Sequence, residues 1–149
     1  MPHDGQTMTP SPALTDLLAL TEAALPEVEA LFVQSREALR GQVVVDGKVS
    51  AAAMEQHQFA AHAMAWLGTY VEALRQLQGW AERTTAAGQF GEMEALILQI
   101  GFGEYLSQIA GGIPMSQGEM ARLSVDWLPG VQARALMAGG NSEIGRAHV

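Results

Sequence analysis

The run from Phe59 to Ala81, F-A-A-H-A-M-A-W-L-G-T-Y-V-E-A-L-R-Q-L-Q-G-W-A, decides how this chain folds. Phe59, Ala63, Trp66, Tyr70, Leu74, Leu77 and Ala81 recur at steps of 4, 3, 4, 4, 3 and 4 residues. Such steps line one face of an α-helix, while Glu72, Arg75, Glu82 and Arg83 fall mostly elsewhere. Met64, Leu67 and Val71 widen the apolar arc, so the helix should pack against more than one neighbour. Ser50 suits an N-cap and Gly88 follows the pattern, which predicts one long helix from Ser50 to about Ala86.

Upstream, Leu14, Leu17, Leu18, Leu25, Val28, Leu31 and Phe32 also keep helical spacing. Pro26 lacks an N–H, so this run is expected either to kink or to be two helices meeting near Leu25. Gly41 is the expected C-terminal cap. Asp46-Gly47 between valines is a short-hairpin signal. Isolated hairpins are marginal, so the reading here is mainly an extended connection with a turn. Residues 1–12, rich in Pro, Ser, Thr and Gly, read as a flexible lead-in.

Downstream, Gly91 to Ala110 reads as a third helix. Met93, Leu96, Ile97 and Ile100 mark one face, and Leu98, Phe102, Tyr105 and Ile109 another. A helix apolar nearly all round is expected to be central and buried. Gly101 and Gly103 cost about 1 kcal/mol each inside a helix, which implies close approach of a second helix or of a ligand. Gly111-Gly112-Ile113-Pro114 should end it abruptly. Ser116 and Glu119 have capping-box spacing, predicting a short helix through about Leu123. Val131 to Ala138 is expected to form a last short helix. The expected fold is all-α, a bundle of three to four main helices with a long central helix and no substantial sheet.

At 149 residues, 48% hydrophobic and 16% charged, the chain has the composition of one folded domain. Sixteen acidic against eight basic residues give a net charge of −8. That balance disfavours nucleic acid, which requires clustered Lys and Arg, and equally an anionic membrane surface. No apolar run approaches the roughly 18–20 residues of a membrane span. With no cysteine there is no disulfide, Cys-ligated zinc or thiol nucleophile. A cytoplasmic location is expected.

No catalytic constellation emerges. His57 and His62 are five residues apart, about 140° around a helix, where one metal needs ligands spaced three or four. The pairs Glu27/Glu29 and Glu92/Glu94 are i, i+2 and point apart. No metal, catalytic or cofactor-binding residue is therefore assigned. Trp66, Tyr70 and Trp80 would serve as core or as an aromatic ligand surface. Full burial of Trp66 would make its truncation cost about 3–5 kcal/mol. The turn carrying Gly111, Gly112, Pro114, Ser116, Gln117 and Glu119 is the candidate contact loop, with a plain helix connector as the alternative.

Three blocks add a resemblance: H-A-M-A-W-L-G-T-Y-V-E-A-L-R-Q at His62–Gln76, G-Q-F-G-E-M-E-A-L-I at Gly88–Ile97, and G-E-Y-L-S-Q-I-A-G-G-I-P-M-S-Q-G-E at Gly103–Glu119. In this order they resemble the N-terminal extension of methylsuccinyl-CoA dehydrogenases, a branch of the acyl-CoA dehydrogenase flavoproteins. The resemblance implies a parent that uses FAD to oxidise a branched dicarboxylic acyl-CoA in the ethylmalonyl-CoA pathway. Electrons would pass to an electron-transfer flavoprotein. It implies further that the catalytic domains lie downstream, that this fragment alone binds no FAD and is inactive, and that its partner is the rest of the parent enzyme. Homo-oligomerisation is left open. The competing reading is a self-contained helical interaction or assembly module without catalysis.

Gly140-Asn141-Ser142-Glu143-Ile144-Gly145-Arg146 superficially resembles the stretch beside the catalytic glutamate of many acyl-CoA dehydrogenases, but the flavin and substrate domains should precede it. Residues 144–149, I-G-R-A-H-V, can be encoded by ATC GGA AGA GCA CAC GTC, which reads as a sequencing-library adapter. The helical domain is thus expected over residues 13–143, with 144–149 not native.

Overall fold

The computed structural model describes residues 13–116 and 118–122. The expected lead-in, the helix at Val131–Ala138 and the adapter-like end lie outside the described residues, as does Gln117.

Helix α1 spans Leu17–Val43 and buries Leu17, Thr21, Ala24, Val28, Leu31, Ser35, Leu39 and Val43. It runs through Pro26 as one helix. Proline there removes one backbone bond, and burial of Ala24, Val28 and Leu31 on either side offsets the loss. Gly41 does not cap α1; the helix continues to Val43, whose carbonyl accepts the Ser50 N–H at 2.9 Å.

The valines beyond it close a true hairpin, a correction to the extended connection expected. Strand β1, Val44–Val45, pairs antiparallel with β2, Lys48–Val49. Asp46 and Gly47 take φ of 50° and 75°, the two left-handed residues that a tight two-residue turn requires. Its ends are held by the helices on either side, so the hairpin does not have to be stable by itself.

Ser50 then caps α2, Ala51–Gln56, accepting the Ala53 N–H on its hydroxyl at 3.3 Å. The expected single helix is broken at His57 (φ −111°, ψ 25°), and α3 follows over Gln58–Ala86. Helix α4 spans Glu92–Gly111. Glu94 accepts the Gly91 N–H at 2.9 Å and so closes its first turn.

Phe32 lies against Gly68 and Arg75 pairs with Glu29, which places α1 antiparallel to α3. Leu77 lies over Gly101 and Tyr70 reaches Gln108, which makes α4 antiparallel to α3 as well. Helix α3 is therefore central, as expected for the long helix. Its buried face is Ala60, Ala63, Leu67, Tyr70, Val71, Leu74, Gln78 and Ala81. The predicted stripe is thus rotated: Phe59 is exposed and Trp66 and Leu77 only half-buried. Helix α4 is peripheral, against expectation. Leu98, Phe102, Leu106 and Ile109 are buried, whereas Met93, Ile97 and Ile100 face outward.

Among the described residues the bundle is all-α apart from two two-stranded ribbons. Among the described residues no helix is long and apolar enough to cross a membrane.

Candidate functional site at the end of the bundle

After α4 the chain turns back on itself. Gly112 takes φ of +136°, and its N–H donates to the Gln108 carbonyl at 2.8 Å. Strand β3, Ile113–Pro114, then pairs antiparallel with β4, Met120–Ala121. Ile113 and Ala121 are fully buried in the common core and pin this loop to the helices.

The helix predicted from Ser116 to Leu123 does not form over its described part. The Glu119 N–H donates to the Ser116 carbonyl at 2.8 Å, and the Met115 N–H to the Glu119 carbonyl at 2.9 Å. This is a four-residue reverse turn, with Gly118 at φ 85° in its third position. Gly118 in that place was the sequence signal for a turn, and Pro114 together with burial of Ala121 favours the ribbon over a helix.

The candidate loop residues do come together at one end of the bundle. Gly112 is buried, and Gly111, Pro114, Ser116 and Glu119 are exposed. Glu119 faces an open groove of about 620 Å³ whose other walls are Met54, Gln58, Phe59, Ala61 and His62. The α2–α3 wall was not foreseen as part of a site. Its signal was faint: Phe59 fits a core stripe equally well, and the break at His57 has no glycine or proline to announce it.

Along α3 a ladder of rings leads inward from this groove. Trp66 Nε1–H donates to His62 Nε2 at 3.0 Å. Trp66 meets Tyr70 edge-on at 6.3 Å between centroids, and Tyr70 meets Tyr105 at 4.6 Å. The Tyr70 hydroxyl donates to Gln108 Oε1 at 2.5 Å, tying α3 to the last turns of α4. Trp80 packs half-buried against the core elsewhere. Of the two readings of the aromatics, the core reading fits Tyr70 and fits Trp66 in part.

Because Trp66 is half-buried, Trp66→Ala should cost about 1–2 kcal/mol in urea unfolding, below the 3–5 expected of full burial.

Burial pushes the Tyr70 phenol above its ordinary value of 10.0, with Tyr105 adding to the effect. An acid whose pKa is raised by folding holds its proton longer in the native state than in the unfolded one. Its contribution to stability is complete below pH 10 and lost as pH rises from there through the folded value. Tyr70→Phe should therefore cost about 1 kcal/mol at neutral pH, through the lost bond to Gln108. It should also flatten the alkaline fall in stability, as seen in melts repeated between neutral pH and pH ~11.

The carboxylates have structural roles. Glu94 closes the α4 N-terminus. Glu29 and Glu72 both hold Arg75, which raises the guanidinium pKa, while bonds from Gln76 and Arg75 lower that of Glu72. Among the described residues no three His, Asp or Glu side chains are grouped to hold a metal.

Among its described lining residues the groove has no lysine or arginine to meet the phosphates of a flavin dinucleotide or a CoA thioester. Both carry phosphates, which call for basic side chains or helix N-termini. Its described lining is Glu119 with His62, Gln58 and apolar side chains, at the start of α3.

No family model matches the chain. It is 57% identical over 146 residues to a (2S)-methylsuccinyl-CoA dehydrogenase of Cereibacter sphaeroides, a match covering 95% of this chain and 27% of that protein. The chain thus spans about a quarter of the length of the curated relative it matches. Over nearly its whole length, it is similar to a fragment of a methylsuccinyl-CoA dehydrogenase.

Proposed function

We propose that this chain is the N-terminal helical part of an FAD-dependent acyl-CoA dehydrogenase that converts methylsuccinyl-CoA to mesaconyl-CoA. In this reading its role is structural, docking onto the rest of the enzyme, and it is inactive alone. The observation that carries the reading is the 57% identity held along 95% of the chain against only 27% of the relative. The FAD, the acyl-CoA and the exchange of electrons with an electron-transfer flavoprotein belong to the remainder of the parent, in the cytoplasm.

The test is direct. The purified chain is expected neither to retain FAD through gel filtration nor to reduce an artificial electron acceptor when given methylsuccinyl-CoA. A bound flavin spectrum together with turnover would overturn the proposal. The outward apolar face of α4 also suits a self-contained interaction module, and folding as a stable monomer with no affinity for the remainder of the relative would favour that reading.

A further inference from the structure

Asp46 and Gly47 form the two-residue turn between β1 and β2, and both are exposed. An aspartate followed by glycine is open to attack by its own chain. The Gly47 amide nitrogen closes a five-membered succinimide on Asp46 Cγ when the two meet, and glycine has no Cβ to obstruct the approach. Nothing lies within 4 Å of where a Cβ on Gly47 would stand, so the surroundings add no obstacle.

The obstacle is the turn itself. Ring closure requires Asp46 Cβ and the Gly47 nitrogen to be nearly eclipsed about the Asp46 Cα–C bond. At its φ of 50° a residue with a Cβ is confined to the left-handed region, where ψ is about +30 to +60°. There the Gly47 nitrogen stands nearly opposite Cβ across that bond, turned away from Cγ. To react, Asp46 must leave the left-handed region, and that breaks the pairing of Val45 with Lys48 and of Val44 with Val49.

We propose that Asp46 is a site of isoaspartate formation, gated by opening of the β1–β2 hairpin. In the open state the Gly47 nitrogen bonds to Asp46 Cγ, and a carboxyl oxygen leaves as water with the amide proton. Water then adds to the Asp46 main-chain carbonyl and breaks its bond to the Gly47 nitrogen. The backbone now runs through Asp46 Cβ and Cγ, with the α-carboxylate free; composition is unchanged and nothing is oxidised or reduced. Opening is local, because Val45 and Val49 are 54% and 63% exposed and little apolar burial is lost with them. The change is one-way. A two-residue turn with an extra backbone carbon does not regain its register, so the α1–α2 connection held by the Ser50 N–H on the Val43 carbonyl is loosened.

The full chain is incubated for weeks at neutral pH, with and without urea. Isoaspartate is followed by mass spectrometry with electron-transfer fragmentation, which distinguishes the two isomers of equal mass. Asp4-Gly5 is the same dipeptide and supplies the reference rate in urea, where both sites should react alike. Without urea, conversion at Asp46 is expected to be about ten-fold slower or more than in urea. Lys48→Pro removes a ladder N–H at an exposed position and should restore the fast rate while helical circular dichroism is kept. Equal rates at Asp46 with and without urea would overturn the gate, and conversion at Asp4 but not Asp46 in urea would overturn the site. If Lys48→Pro unfolds the chain, the wild-type rate in rising urea decides. Acceleration well before the helices melt supports local opening, and acceleration only along with melting overturns it.

Discussion

Phe102→Ala is expected to lower the unfolding free energy by about 3–5 kcal/mol, measured by urea titration followed by circular dichroism. Among the described residues Phe102 is the largest side chain that is fully buried, at 0% exposure on the inner face of α4. Its neighbours along that face are Leu98, Leu106 and Ile109, all in the same core cluster. Truncation removes the apolar transfer energy of the ring and leaves a cavity that helices fixed by their other contacts cannot fully close. A domain of this size has only about 5–15 kcal/mol in all, so the variant should sit close to its unfolding threshold. A loss under about 1 kcal/mol would mean that α4 is not packed on α3 as described. The contrast with Trp66 makes the result specific. Trp66 is the larger ring but only half-buried, so the smaller aromatic should have the larger effect.

That inversion marks where the sequence is informative and where it is not. Helical spacing located α1, α3 and α4 because a 3.6-residue period is written directly in the positions of leucines, valines and alanines. The rotational phase of α3 is less legible. The predicted stripe followed the large side chains Phe59, Trp66 and Leu77, but the observed core takes Ala60, Leu67 and Gln78. Leu77 stays half-buried while it spreads over Gly101, where an added Cβ would stand 2.6 Å from its Cδ1. The glycine did report close helix approach, the packing alternative of the two considered. Periodicity cannot say whether an apolar face is covered by the same chain, and α4 was misplaced for that reason. Its Met93–Ile97–Ile100 side has the composition of a core without its surroundings. The candidate loop was found through its glycines and proline, but S-x-x-E serves equally as a capping box and as the ends of a reverse turn. Gly118 and the burial of Ala121 decided for the turn.

The same loop carries the second large effect. Gly112→Val should destabilise the loop by on the order of 3 kcal/mol. At φ +136° and ψ 130° a residue with a Cβ is strongly disfavoured, and a β-branched one most of all. Space is missing as well, because a Cβ on Gly112 would stand 2.5 Å from Met120 Sδ and 2.7 Å from its Cγ. Met120 is exposed and its thioether can swing aside, so the backbone conformation carries most of the cost. The damage should nevertheless be local. Helices α1, α3 and α4 share most of the buried core, whereas the ribbon contributes only Ile113 and Ala121 to its fully buried part. Helical circular dichroism should therefore persist while hydrogen exchange speeds up at the Met115 and Glu119 amides, the two that hold the turn. Uniform loss of protection along α3 would show instead that the ribbon and the bundle unfold as one unit. If the ribbon detaches alone, the Glu119 wall of the groove goes with it, and any docking through this end of the bundle should weaken while the helices stay packed.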